Sequence, residues 1–76
     1  MATARECEKQ QAQIIADQAQ VHQAQAALVF AQEQAARYQY LAQTGAGSVQ
    51  NAQQYTSQLR QQQAALESAQ ATLKLS

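Results

Sequence analysis

The sequence predicts an all-α protein, two long helices folded into an antiparallel coiled-coil hairpin with a glycine-containing tip loop. Three observations point there. Alanine and glutamine make up about half of the 76 residues and proline is absent, a composition that favours long helices over sheets. Apolar residues recur every seven positions along two tracts, which is the pattern of a coiled-coil seam. Both glycines of the chain, Gly45 and Gly47, fall between those tracts.

The first helix is expected from about residue 2 to 43, because nothing in that tract breaks a helix. At 1.5 Å per residue it would extend about 60 Å. Cys7, Ile14, Val21, Leu28, Ala35 and Ala42 recur every seven residues, and Ala24, Ala31 and Tyr38 follow three places after the later members. Together they form the two lines of a seam. Gln10 and Asp17 occupy the second line in the earlier repeats, so the seam is expected to be apolar from about Ile14 onward.

The turn is expected at residues 44–48. Gly45 suits the left-handed position that ends a helix, and Ser48 can cap the next one by accepting a bond from a free backbone N–H. The return helix is expected from about 49 to 75, with Ala52, Leu59, Leu66 and Leu73 on one seam line and Tyr55, Gln62 and Ala69 on the other. So short a turn places the two helices side by side and antiparallel. The first helix is the longer, so its first dozen or so residues overhang. Large seam residues are few, so the hairpin is expected to be marginal alone and to gain stability from neighbours. A second stripe, Phe30, Gln34, Arg37 and Leu41, runs beside the seam at helical spacing. It is expected to pack laterally against another hairpin, chiefly through Phe30 and Gln34.

The chemistry open to this chain is narrow. His22 is the only histidine and Cys7 the only cysteine, which excludes an internal disulfide and leaves no metal-ligand set at helical spacing. No acid, base and nucleophile stand together, no cofactor is implied, and the two glycines follow a helix rather than the strand that precedes a phosphate loop. The chain is therefore read as no enzyme. Five basic residues balance five acidic ones, so there is no net field to attract nucleic acid or an anionic membrane surface. Its longest apolar run, Ala26–Ala31, is far shorter than the roughly 20 residues of a membrane span. No secretory signal is read in the residues after Met1. Glutamines lie mostly between the apolar seam positions, which favours long uncharged helix faces able to hydrogen-bond with similar faces nearby.

With these residues in view, the sequence resembles the periplasmic adaptor proteins of the HlyD and AcrA type, also called membrane fusion proteins, and specifically their α-helical hairpin. Arg37, Leu41 and Ser48 match the Arg/Leu/Ser tip motif of that hairpin in type, spacing and position at the turn. The closing stretch from Ala64 to Ser76 is similar to the descending helix as it approaches the lipoyl-like domain. The resemblance implies a piece of a larger adaptor in a tripartite efflux pump or type I secretion system. Its parent would be periplasmic and anchored at the inner membrane. The implied partners are a TolC-like outer-membrane channel met tip to tip, neighbouring adaptor hairpins packed into a duct, and an inner-membrane transporter reached through other parts of the parent. At the channel, Arg37 would donate hydrogen bonds, Leu41 would insert as an apolar anchor, and Ser48 would add a short polar contact. The alternatives are a generic antiparallel coiled coil that serves as a scaffold or oligomerisation module, and an amphipathic hairpin lying on a lipid surface. The second lacks the basic face that such binding uses.

Overall fold

The computed structural model describes residues 3–76. It contains two helices, α1 (Ala4–Gln43) and α2 (Val49–Leu75), which pack against each other along an extended hairpin. The backbone measures 65 × 13 × 11 Å. Helix α1 begins behind a capping box. Thr3 Oγ1 accepts from the Glu6 N–H at 3.2 Å, and the Glu6 carboxylate accepts from the Thr3 N–H at 3.2 Å. Two otherwise orphaned donors are satisfied at once. Ala2, where the sequence reading starts the helix, lies outside the described residues.

The interface follows the heptad lines. Val21, Ala31, Ala35 and Ala52 are buried, and Ile14, Ala24, Leu28, Tyr38, Leu59, Leu66, Ala69 and Leu73 are half-buried beside them. Three of the four buried apolar side chains are alanines, whose small size lets two helices approach closely. Leucines are half-buried along the rest of the seam. Towards the tip the seam carries an aromatic pair. The rings of Tyr38 and Tyr55 stack in parallel, with centroids 4.1 Å apart and planes 7° from parallel.

The base of the hairpin is closed differently. Asp17 is only 3% exposed. One carboxylate oxygen accepts from Gln13 Nε2 at 3.0 Å, one turn back on the same helix, and the other accepts from the Ser76 hydroxyl at the end of α2. The seam thus begins with a satisfied polar group rather than an apolar one. From Ala4 to Gln13 every residue of α1 is exposed. That stretch is the overhang, and it includes Cys7 and Gln10.

Because α2 is held by few large side chains, shortening one should be felt. Leu59→Ala or Leu66→Ala is expected to lower stability by about 2 kcal/mol, the low end of the Leu→Ala range because both sites are only half-buried. Leu75→Ala, at a site 90% exposed, is expected to stay within about 0.5 kcal/mol. Thermal melts followed by circular dichroism distinguish the three. An unchanged melt for both Leu59→Ala and Leu66→Ala would contradict the seam.

Candidate docking tip and lateral face

The tip is built around a single carbonyl. Helix α1 ends with Thr44 at its C-cap and Gly45 at φ +81°, the left-handed conformation in which a side chain is strained. The Ala46 N–H donates to the Leu41 carbonyl at 3.0 Å and the Gly45 N–H to the Ala42 carbonyl at 3.4 Å. These two bonds make a Schellman closure, which satisfies carbonyls left open by the end of the helix. The Gly47 N–H and the Thr44 hydroxyl also donate to the Leu41 carbonyl, at 2.9 and 3.1 Å. Gly47 owes its identity to this approach. A methyl group there would stand 2.9 Å from Leu41 Cβ and 3.4 Å from the Leu41 carbonyl carbon, closer than real side chains pack. Sequence reading explains Gly45 by its conformation; the need for Gly47 appears only when the loop is seen folded back on Leu41.

Ser48 then starts α2. Its side-chain oxygen accepts from the Asn51 N–H at 3.0 Å, which leaves the hydroxyl proton free to donate elsewhere. Arg37 is exposed one turn below Leu41, and no hydrogen bond or ion pair among the described residues engages it. Leu41 itself is half-buried, its backbone fixed by the loop. All three sequence-predicted tip residues therefore lie within the last two turns of α1 and the residue just before α2. Two apolar side chains missed by the sequence reading stand near them, Tyr40 and Val49, each almost two-thirds exposed. Their exposure was not legible because neither belongs to a repeating stripe.

Below the tip, two interhelical features fix how the end of the hairpin is held. Gln39 Nε2 donates to Thr56 Oγ1 at 2.9 Å, and that hydroxyl donates on to the Ala52 carbonyl at 2.8 Å. On the seam, the Tyr38 side chain raises the Tyr55 phenol above its ordinary value, first as a hydrogen-bond partner and then as a neighbouring phenol whose charge would repel. The two rings act as one flat packing unit between the helices.

The lateral stripe divides into two kinds of residue. Phe30 is 61% exposed and Arg37 is exposed, whereas Gln34 and Leu41 are half-buried. Phe30 and Gln34 line a shallow open groove with Ala27 and Ala31, closed on the α2 side by Gln58 and Gln62. Inside it the Gln34 Oε1 atom is shielded from solvent and has no hydrogen-bond partner. An amide oxygen in that state costs stability until a donor reaches it. Among the described residues no group of histidine, cysteine, aspartate and glutamate side chains stands close enough to hold a metal ion. No described helix is long and apolar enough to cross a membrane.

Residues 13–76 match a family model described as the RND MFP (membrane fusion protein) alpha-helical hairpin domain. The match begins at Gln13, the residue that bonds Asp17 where the two helices first meet, and it leaves out the overhanging turns of α1. No curated protein and no solved structure matches the chain.

The closure around Leu41 makes a local prediction. Gly47→Ala should destabilise the hairpin by about 1–3 kcal/mol, because the new methyl group meets the Leu41 Cβ, held in place by its own helix backbone, rather than a movable side-chain end. Ala46→Ser, at the exposed neighbouring position, should stay within about 0.5 kcal/mol. Denaturant titration of the two variants measures the difference, and equal midpoints would remove the close-approach role of Gly47.

Proposed function

From the premise that this chain belongs to the RND membrane fusion proteins, as their α-helical hairpin domain, we propose that it docks tip to tip on a TolC-like outer-membrane channel and packs side by side with further hairpins to form a duct. The family is one of non-catalytic periplasmic adaptors, and its members work with efflux-pump partners. What supports docking through the tip is the combination found there. A rigid loop holds Leu41, an unengaged guanidinium stands one turn below it, and the Ser48 hydroxyl keeps its proton while its oxygen caps α2.

In this reading Arg37 donates from its planar fork to carbonyl or carboxylate oxygens on the channel's tip helices. Leu41 supplies the apolar contact, and Ser48 donates the remaining short hydrogen bond. None of the three is needed to hold the two helices together at the seam, so all three are available to a partner. Each contact is small, and the affinity of one hairpin is correspondingly low. Several hairpins held in a ring would raise it through effective concentration rather than through new contacts.

Lateral packing is supported by the other exposed feature. Phe30 offers apolar area, and the shielded Gln34 oxygen lacks a donor. A neighbouring hairpin, itself rich in glutamine along its faces, can supply both a cover for the ring and an N–H for the oxygen. An inner-membrane transporter would be reached through parts of the adaptor other than this hairpin.

Binding to the periplasmic tip of a TolC-like channel, with the hairpin displayed multivalently, tests the docking role. Arg37→Asp and Leu41→Ser are each expected to reduce binding at least tenfold, as the loss of one charge-assisted or apolar anchor contact of about 1.4 kcal/mol or more implies. Their helicity by circular dichroism should be unchanged. Wild-type hairpin that is folded, multivalent and still fails to bind would overturn the docking role and favour the generic coiled-coil scaffold. Such a scaffold would also predict that neither substitution changes any association.

A further inference from the structure

We infer that Asp17 is a polar registration lock, a buried carboxylate that fixes the pairing of α1 with the Ser76 end of α2. It occupies a seam position that repeats as Ala24, Ala31 and Tyr38 further along. An apolar residue would be the ordinary occupant there. Instead the carboxylate is 3% exposed and both of its oxygens are satisfied, one by Gln13 Nε2 from its own helix and one by the Ser76 hydroxyl from the other. The hydroxyl of Ser76 is itself held on the last turn of α2, 3.2 Å from the Thr72 carbonyl.

Such an arrangement selects one alignment. Between the Tyr38–Tyr55 stack and the base, the buried seam side chains are Val21 and alanines, with leucines half-buried around them. Apolar contacts of that kind are non-directional, and small side chains penalise a slip or a rotation only slightly. The turn fixes register at the tip, but its influence weakens over the many helical turns that separate it from Asp17. If α2 shifts by one residue, its side chains move 1.5 Å and turn by about 100°. The Ser76 hydroxyl then leaves the carboxylate, and one oxygen is left buried without a donor, which is strongly disfavoured. A buried polar residue in a seam commonly gives specificity at some cost in stability.

Stability and alignment are separable in the test. In the full chain with Cys7→Ser, spin labels at Gln20→Cys and Ser68→Cys, two positions flanking the groove near the base, report the interhelical distance. The parent should give one narrow distance peak, and Asp17→Asn should keep it, since an amide can still pair with both neighbours. Asp17→Leu should melt at the same or a higher temperature while its distance distribution broadens or splits. Ser76→Ala should broaden it too, with little change in helicity. A single narrow peak in both Asp17→Leu and Ser76→Ala would overturn the inference. Should Asp17→Leu lose its helicity, Ser76→Ala decides alone: broadening supports the lock, and the parent's peak overturns it.

Discussion

Everything at the tip of this hairpin depends on one backbone oxygen. The Leu41 carbonyl accepts from the Ala46 and Gly47 amides and from the Thr44 hydroxyl, and that convergence ends α1, reverses the chain and delivers Ser48 to the cap of α2. A loop without these bonds would leave the last carbonyls of α1 open and the direction of α2 undetermined. With them, Leu41 is anchored through its own main chain, so its side chain is presented at a fixed position. Preorganisation of this kind lowers the entropy a small contact surface must lose on binding. The two glycines have different duties in it. Gly45 supplies a positive φ, and Gly47 supplies the absence of a side chain.

The rest of the molecule is a long lever with a lightly packed seam. Alanines take three of the four buried apolar positions, and few large side chains are half-buried between them. The gain is close approach of the helices and a slender cross-section. The cost is that little apolar area is buried between them. Glutamines flank the seam on both sides, and their amides both donate and accept, so neutral faces can meet without the desolvation that charged faces would incur. The shielded Gln34 oxygen beside exposed Phe30 marks one place where such a meeting would repair a deficit of the isolated hairpin.

The two ends of the pairing use opposite means. Near the tip, a stacked tyrosine pair and the Gln39–Thr56 bond tie the last turns of the two helices together. At the base, a carboxylate shared between the helices performs the alignment that small apolar residues cannot. The overhanging turns of α1 beyond it carry Cys7 and four charged residues, Arg5, Glu6, Glu8 and Lys9. They lie outside the span that matches the hairpin family.

The amino-acid sequence by itself determined the fold class, the two helical tracts, the place of the turn and the residues that line the seam. These are local or periodic properties: helix propensity, a seven-residue recurrence, and a glycine where a left-handed residue ends a helix. Even half-buried Gln62 falls where the repeat puts it. Arg37, Leu41 and Ser48 could be named from spacing and resemblance, because the motif is carried in the order of residues along the turn. Only the tertiary structure decided what faces what. In the sequence Asp17 is a polar residue on a seam line, and only the folded chain sets Ser76, far away in sequence, opposite it; Gly47 has no role legible in the sequence until the chain folds back on Leu41. The Tyr38–Tyr55 stack and the stranded oxygen of Gln34 belong to the same class. Periodicity tells which face of a helix is covered, but the partner at each point depends on register and on the angle at which the helices meet, and those follow from the whole hairpin at once.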